Sequence, residues 1–215
     1  MKKSATALAA ILMLAAFMPR PALAEVTFDL GAKAGVSISN ARWNDDDGTE
    51  KPLVRPTFGA FAAVNITPNL AVQPEIDYLT VGESWTGTLD SSTYKEIILQ
   101  NYLHVPVLIK ARLARKGDVV PVAFAGPALN VLLSARYKGY LDGTLDADED
   151  IKEVFKSTEF GADFGLGVEM SKDNIKFILE ARCYLGLSDP YIPEDAEDMY
   201  TLKNNALMIT YGVMF

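Results

Sequence analysis

Apolar and polar residues alternate with a period of two at the C-terminal end of the chain, which is typical of a β-strand with one face in an apolar environment. The apolar row consists of Leu207, Ile209, Tyr211, Val213 and Phe215. The residues between them are Ala206, Met208, Thr210, Gly212 and Met214. Because this strand ends on an aromatic residue, we expect it to close against the first strand and to end in a lipid interface.

Seven further segments show strand-like patterns, which gives eight predicted strands in all. They cover residues 26–38, 56–66, 70–81, 96–111, 120–136, 159–170, 175–187 and 204–215. The connections are long at 39–55, 82–95, 137–158 and 188–203, and short at 67–69, 113–119 and 171–174. This alternation predicts an all-β fold, an eight-stranded antiparallel up-and-down transmembrane β-barrel with both termini on the periplasmic side.

The two faces of each predicted strand differ in chemistry. In the first strand, Phe28 and Leu30 point one way, while Asp29 and Lys33 point the other. The apolar faces of the second, third, sixth, seventh and eighth segments also carry no charged residue. A soluble ligand-binding barrel needs the opposite arrangement, with an apolar interior under a polar exterior. The pattern therefore favours a barrel with a lipid-facing exterior and an interior in which charges of both signs pair.

This charged interior is expected to be filled, because eight strands enclose a space only wide enough for side chains. We expect four basic residues to brace six acidic ones: Lys33, Lys110, Arg136 and Arg182 with Asp29, Glu75, Asp77, Asp163, Glu169 and Glu180. The main members of this lumen network are Lys33, Glu75, Lys110, Asp163, Glu180 and Arg182. Glu180 and Arg182 share one face of a strand, so we place them at its centre. The alternative is that these residues line a proton or small-ion path.

Aromatic residues on the lipid-facing side cluster near both ends of the strands. One predicted belt contains Phe28, Phe177 and Phe215, and the other contains Phe58, Tyr78, Tyr137 and Phe160. Two belts at two depths are typical of a membrane barrel.

The N-terminal segment has the features of an export signal. Two lysines near the start precede a short apolar run at 7–18, and a small-residue motif follows and ends at Ala24. The run is too short to span a bilayer as a helix, which needs about 20 residues. We expect a cleaved signal peptide at 1–24, a barrel domain at 25–215 and localisation in an outer membrane of the Gram-negative type.

The net charge of the whole chain is −8, and it becomes −11 once Lys2, Lys3 and Arg20 of the predicted signal peptide are removed. This acidic balance argues against nucleic acid as a partner. The single cysteine, Cys183, excludes an internal disulfide, so other interactions must hold the fold together.

Candidate catalytic residues are few. His104, the only histidine, falls on the interior side of its strand with Gln100 and Lys110 as neighbours, and no serine accompanies it. We interpret it as a hydrogen-bonded interior residue. One histidine and one lipid-facing cysteine also do not make a zinc site. We therefore expect no enzymatic activity, no cofactor and no metal site.

The third long connection is strongly acidic, with Asp142, Asp146, Asp148, Glu149, Asp150 and Glu153. The spacing of Asp146, Asp148 and Asp150 resembles a calcium loop. However, Ile151 stands where the turn glycine belongs and Ser157 where the bidentate glutamate belongs. We expect solvated loop charges here, and loose divalent binding or bridging to anionic lipid stays a hypothesis.

Four segments carry short motifs of a known kind: Tyr102–Lys110, Ala125–Pro127, Phe164–Val168 and Glu180–Leu187. They resemble the small outer-membrane β-barrel family called the porin or PorT-like family, with eight-stranded barrels of the OmpA/OmpX type. The first segment is similar to a family strand that reads tyrosine, leucine, acid, isoleucine, proline and later lysine. In this chain His104 stands where the family has the acid. The resemblance therefore does not imply that position 104 takes part in a pair of charged residues in the lumen. The family name does not by itself imply a pore.

We therefore expect an integral outer-membrane protein with a structural or surface-interaction role, exerted through acidic extracellular loops. The alternative is a narrow pore or transport protein, or a subunit of a protein-export machine. The expected partners are outer-membrane lipid, an unknown surface or envelope protein, and the barrel-assembly machinery, which would read a C-terminal signature of Tyr211, Val213 and Phe215. We expect a monomer.

Overall fold

The chain folds into one antiparallel sheet that closes on itself. The computed structural model describes residues 26–43, 51–89, 92–113, 119–173, 175–192 and 202–215. Its strands are β1 (Thr27–Trp43), β2 (Lys51–Thr67), β3 (Leu70–Leu89), β4 (Ser92–Arg112), β5 (Val119–Leu141), β6 (Thr144–Asp150), β7 (Thr158–Lys172), β8 (Ile175–Gly186) and β9 (Leu202–Met214). A 3₁₀ turn, Lys152–Val154, follows β6. No helix in these ranges has the length and apolar character needed to cross a membrane. The predicted signal peptide lies outside the described residues, as do the acidic residues of the first long connection and those of the fourth other than Asp189.

Eight of these strands form the predicted ring, and the all-β, up-and-down barrel is confirmed. Successive strands pair with each other, β5 pairs with both β4 and β7, and β9 pairs with β1. The final residue takes part in the closure. The N–H of Phe215 donates to the carbonyl of Leu30, and the N–H of Leu30 donates to the carbonyl of Phe215, both at 2.9 Å.

The register of the strands fixes the width of the ring. We start at Thr27 and step from each residue to its partner on the next strand. After all eight strands this path returns to β1 at Ser37, ten residues further along the chain. For eight strands, this stagger corresponds to a strand tilt of roughly 40° and to an interior that side chains can fill.

The inward and outward faces follow the predicted alternation over most of the ring. On β9, Leu207, Ile209 and Tyr211 are exposed, while Met208 and Thr210 are buried. Large apolar side chains cover the outside, among them Phe28 (68 % exposed), Leu166 (64 %) and Ile76 (57 %). Such a large exposed apolar surface would be a liability in water and is what a barrel surrounded by lipid requires.

The long connections predicted at 39–55 and 82–95 are shorter than expected, because the strands continue into them. β3 and β4 run on until Leu89 pairs with Ser92, and β1 and β2 extend to Trp43 and Lys51. Above a membrane both faces of a strand meet water, so the backbone ladder can continue without the apolar alternation that reveals a strand in the sequence.

The connection predicted at 137–158 also contains strand. β5 continues to Leu141 and turns back into β6 at Asp142 and Gly143, whose φ values of 47° and 82° suit the Asp-Gly pair of a two-residue hairpin turn. The turn is held to β4, since the N–H of Thr93 donates to Asp142 Oδ1 at 2.7 Å. Within the described residues β6 pairs with β5 alone, so it extends the sheet outside the ring.

Candidate functional site: the charged interior and its apolar cap

The six main residues of the predicted lumen network all point into the barrel. Lys33, on β1, is 6 % exposed, and the other five are each 2 % exposed or less. They come from five different strands, so no short stretch of sequence contains the site. Besides Lys33, these residues are Glu75 on β3, Lys110 on β4, Asp163 on β7, and Glu180 and Arg182 on β8.

Arg182 and Glu75 form the centre of the network. Arg182 Nη1 donates to Glu75 Oε2 at 2.7 Å, and Nη2 donates to Oε1 at 2.9 Å, which is a two-pronged ion pair across the lumen. The Lys33 ammonium also binds Glu75 and lies 3.2 Å from Asp77 Oδ2. Glu180, which the sequence places at the centre with Arg182, is a more distant partner of Arg182 at 3.3 Å.

A second group of ion pairs lies nearer the end of the barrel that holds both termini. The ammonium of Lys110 is 3.0 Å from Glu180 Oε1 and 3.5 Å from Glu169 Oε1. Arg112 Nε donates to Glu169 Oε2 at 2.7 Å. At the rim, Lys176 Nζ donates to Asp29 Oδ2 at 2.7 Å. Arg112 and Lys176 were not among the predicted members, although they lie on the same parity as Lys110 and Glu180.

Aromatic rings fill the space between these charges. The Lys110 ammonium lies 5.9 Å from the ring centres of both Phe61 and Phe124, and the Arg182 guanidinium lies 5.1 Å from that of Phe124. Rings at this distance stabilise cations that have lost their water. The interior at this level is therefore packed with side chains.

His104 links the charged centre to a layer of amides above it. Its Nε2 lies 2.9 Å from Asp163 Oδ2, and its Nδ1 lies 2.6 Å from Asn130 Oδ1. The Arg182 guanidinium also approaches Asp163 Oδ2, at 3.4 Å. The interpretation of His104 as a hydrogen-bonded interior residue agrees with these contacts.

The amide layer itself was missed in the sequence. Asn204 donates both to Gln100 Oε1 at 2.9 Å and to Glu159 Oε2 at 3.1 Å, and Asn130 donates to Glu159 Oε2 at 3.2 Å. Glu159 and Asn204 continue the inward parities of β7 and β9 by one step at the strand ends. That continuation is the signal that could have identified them.

An apolar cap closes the end of the barrel opposite the termini. Phe155, just after the 3₁₀ turn, is only 4 % exposed and packs into a cluster that includes Leu132 and Leu202. Backbone hydrogen bonds hold this segment over the opening: Ile151 N–H donates to Ala135 O at 3.0 Å, and Lys156 N–H donates to Pro190 O at 2.7 Å. The sequence predicted a solvated loop here, whereas the hydrophobic residues of this segment form the cap of the barrel.

A closed ring with apolar outside faces and a charged interior is the arrangement of a membrane barrel, and sequence comparison gives the family. A family model for the outer membrane protein β-barrel domain matches residues 20–191. This chain belongs to that family. A comparison with curated proteins finds no match.

Three solved outer-membrane barrels illustrate what the protein is similar to. Neisserial surface protein A is 14 % identical, with 89 % of this chain and 98 % of that chain covered and a TM-score of 0.48. OprG from Pseudomonas aeruginosa is 13 % identical, with 90 % and 98 % covered and a TM-score of 0.41. Ail, the attachment invasion locus protein of Yersinia pestis, is 11 % identical, with 87 % and 98 % covered and a TM-score of 0.38.

In an outer-membrane barrel the short turns are periplasmic and the long connections extracellular, so the Phe155 cap, which belongs to the long connection between β5 and β7, is extracellular. Aromatic residues lie on the outer surface toward both ends of the lipid-facing band. Phe58 stacks on Tyr78 with ring centres 5.2 Å apart toward the extracellular end, and Phe177 stacks on Tyr211 at 6.2 Å in the periplasmic half.

The prediction that Tyr137 belongs to the extracellular belt was wrong. Tyr78 pairs with Leu103 of β4, whereas Tyr137 pairs with Ile98, five residues further toward the extracellular tip. There the Tyr137 hydroxyl donates to Glu96 Oε1 at 2.8 Å. Partial burial and this hydrogen bond raise the pKa of Tyr137 to about 12.

The prediction that Arg136 braces the lumen was also wrong. Asn101 pairs with Ser134 and Tyr102 pairs with Leu132, so Leu133 is an extra residue that bulges out of β5. A bulge of one residue reverses the facing of the rest of the strand. The Arg136 side chain is consequently 49 % exposed and pairs with Asp148 of β6 at 2.9 Å.

The acidic residues that resemble a calcium loop lie on a strand. Asp146, Asp148 and Asp150 belong to β6, and Asp148 is neutralised by Arg136 and, at 3.9 Å, by Lys138. Over the described ranges, no group of three or more His, Cys, Asp or Glu side chains is arranged to hold a metal ion.

Proposed function

We propose that this outer-membrane protein acts at the cell surface, as a structural or binding element, through its acidic extracellular connections, of which the β6 strand is the described part. The observation that carries the proposal is the closed lumen. Ion pairs around Arg182 and Glu75 fill the middle of the barrel, and the Phe155 cap covers its extracellular end. In a barrel built in this way the interior side chains stabilise the fold, and the extracellular surface is the part available to bind a partner.

The β5–β6 hairpin is the part of that surface best suited to contact a partner. Every residue of β6 except Ala147 is exposed, and Asp146 and Glu149 belong to no ion pair among the described residues. An acidic strand held on a rigid hairpin favours basic partners through electrostatic steering. We infer that a cationic protein surface is the kind of partner that fits.

To test this function, the protein is reconstituted into vesicles of neutral lipid, and binding of the vesicles to a sensor coated with a lysine-rich peptide is measured. A sensor coated with a glutamate-rich peptide is the reference. One variant replaces residues 138–148 by Asn-Gly, which leaves the paired residues Tyr137 and Glu149 at the ends of a two-residue turn. A second variant keeps the hairpin and removes charge, with Asp146→Asn, Glu149→Gln and Asp150→Asn.

Both variants are expected to lose most of the binding to the lysine-rich peptide while keeping the gel shift between unboiled and boiled samples that marks a folded barrel. Binding that stays at the wild-type level in both variants would overturn the proposed role of the hairpin. A partner of an export machine that co-purifies with the trimmed protein would favour the alternative, a subunit of such a machine.

A further inference from the structure

Three lysines at the extracellular end of the barrel, two in the segment between β6 and β7 and one in β9, share one kind of contact. Lys152 Nζ donates to the carbonyl of Leu133 at 3.0 Å, Lys156 Nζ to that of Asp189 at 2.8 Å, and Lys203 Nζ to that of Leu187 at 2.7 Å. We call Lys152, Lys156 and Lys203 the lysine patch. Each ammonium has three N–H donors, so donors remain after the carbonyl bond.

The lysine patch surrounds the top of β7. On one side of β7, the N–H of Leu132 in β5 donates to Ser157 O at 2.9 Å. On the other side, the N–H of Leu187 donates to Phe160 O at 2.9 Å. The carbonyls that hold the three lysines therefore flank one strand end.

The surface directly below the lysine patch is apolar and faces outward. Leu187 is 64 % exposed, Phe160 is 61 % exposed and Leu133 is 46 % exposed. Phe160 belongs to the predicted extracellular aromatic belt, where lipid tails give way to headgroups. The ammonium groups therefore lie at the height of the headgroups, above a surface that acyl chains cover.

The charges of the lysine patch are not neutralised by the part of the protein that the structure describes. There, none of the three ammonium groups has a carboxylate oxygen within 4.0 Å, in contrast to Arg136 and Lys138, which share Asp148. Asp150 and Glu153 do line a surface recess next to Lys152. The carboxylate of Asp189, the residue whose carbonyl holds Lys156, accepts from the backbone N–H groups of Tyr191 at 3.0 Å and Leu202 at 3.2 Å and forms no ion pair with the described lysines.

We propose that the lysine patch binds the phosphate of an anionic lipid headgroup in the outer leaflet. A phosphate offers several charged acceptor oxygens to donors that come from different segments of the chain. A lipid fits better than free phosphate, because its acyl chains cover Phe160 and Leu187 while its headgroup reaches the lysines. Lysines near a membrane surface contribute about 1 kcal/mol each to binding of anionic lipid, which is about fivefold in affinity.

Native mass spectrometry of the folded barrel in non-ionic detergent tests this site. The probe is lipid A that carries both of its phosphates, and the reference lipids are lipid A without phosphates and phosphatidylcholine. Inorganic phosphate added as a competitor distinguishes a headgroup site from a general phosphate site. The variant is Lys152→Gln, Lys156→Gln and Lys203→Gln together, and the matched control is Lys51→Gln with Lys95→Gln, exposed lysines at the tips of β2 and β4.

We expect the triple variant to bind phosphorylated lipid A on the order of 100-fold more weakly, and the control variant to bind it as the wild type does. Glu153→Gln should strengthen binding, since it removes a negative charge beside Lys152. Equal affinity for lipid A with and without phosphates, or an equal loss in the control variant, would overturn the proposal. Full displacement by inorganic phosphate would show a simple anion site and would also contradict it. The heat-dependent gel shift verifies that every variant is folded.

Discussion

Arg182 on β8 and Glu75 on β3 meet across the lumen in a two-pronged ion pair with distances of 2.7 and 2.9 Å. Their strands are far apart in the ring, so this contact braces the barrel from the inside. Both residues are 2 % exposed, and each side chain has lost its water. The pair is therefore tolerable only while both partners are present.

Replacing Glu75 by alanine should leave Arg182 and Lys33 without their main acceptor. Removing one partner of a buried ion pair costs about 3–5 kcal/mol, and we expect a loss of that size in the free energy of unfolding. Urea unfolding of the protein in lipid vesicles, followed by the gel shift of unboiled samples, measures it. Glu149→Ala on the exposed β6 strand is the control and should change stability little. A Glu75→Ala barrel as resistant to urea as the wild type would contradict the bracing role.

Phe155→Ala should loosen the cap while the ring stays closed. The substitution removes a large buried side chain from the cluster around Leu202. Such a loss costs about 3–5 kcal/mol, and here it lowers the free energy of opening the cap rather than that of unfolding the whole barrel. An Ala206→Cys reporter in a Cys183→Ala background, labelled by a water-soluble thiol reagent from outside, detects the opening. We expect labelling to be faster on the order of tenfold or more with Phe155→Ala. Identical labelling rates would show that Phe155 does not seal the interior.

The C-terminal signature leads to a prediction about assembly. Phe215 closes the ring with its backbone, whereas its side chain is 69 % exposed. We propose that the assembly machinery reads this side chain together with Tyr211 and Val213. Phe215→Ala should then refold normally in detergent but reach the outer membrane in smaller amounts in cells. An equal loss in detergent and in cells would instead indicate a purely structural role.

The extracellular tyrosine provides a test by pH. Because burial and Glu96 favour the neutral form of Tyr137, its pKa is raised to about 12 from the ordinary value of 10. The resulting stabilisation is present below pH 10 and is lost as the pH rises through about 12. Glu96→Gln should lower the pKa of Tyr137. To measure this pKa, the ultraviolet absorbance of each barrel is titrated with pH, and the titration of the same barrel with Tyr137→Phe is subtracted. An unchanged titration would show that the bond to Glu96 has no influence.

The parts of this fold that lipid surrounds could be predicted from the sequence, because lipid on one face and packed charges on the other impose a period of two. This period placed Glu75, Asp163 and Arg182 on the inward face, and all three are buried in the structure. Beyond the lipid the constraint disappears, so the strand extensions, the β6 strand and the buried position of Phe155 were missed. The error at Arg136 has a different cause. One bulged residue, Leu133, reverses the facing of everything after it, and nothing in the local composition marks the bulge.

The partners of individual charges could not be predicted either. Which acid binds Arg182 depends on the stagger of ten residues around the ring, and alternation within a single strand carries no information about stagger. The sequence therefore favoured Glu180, two residues from Arg182, over Glu75 on a distant strand.

Conductance in a planar lipid bilayer tests the central claim, a closed barrel whose function lies outside its lumen, most directly. The purified wild-type protein should insert without any steady conductance, and the Phe155→Ala barrel should behave in the same way because the ion pairs around Arg182 still fill the lumen. A steady, ion-selective conductance of the wild-type protein that disappears when the charges of the lumen network are changed would contradict the claim. The protein would then be a narrow pore.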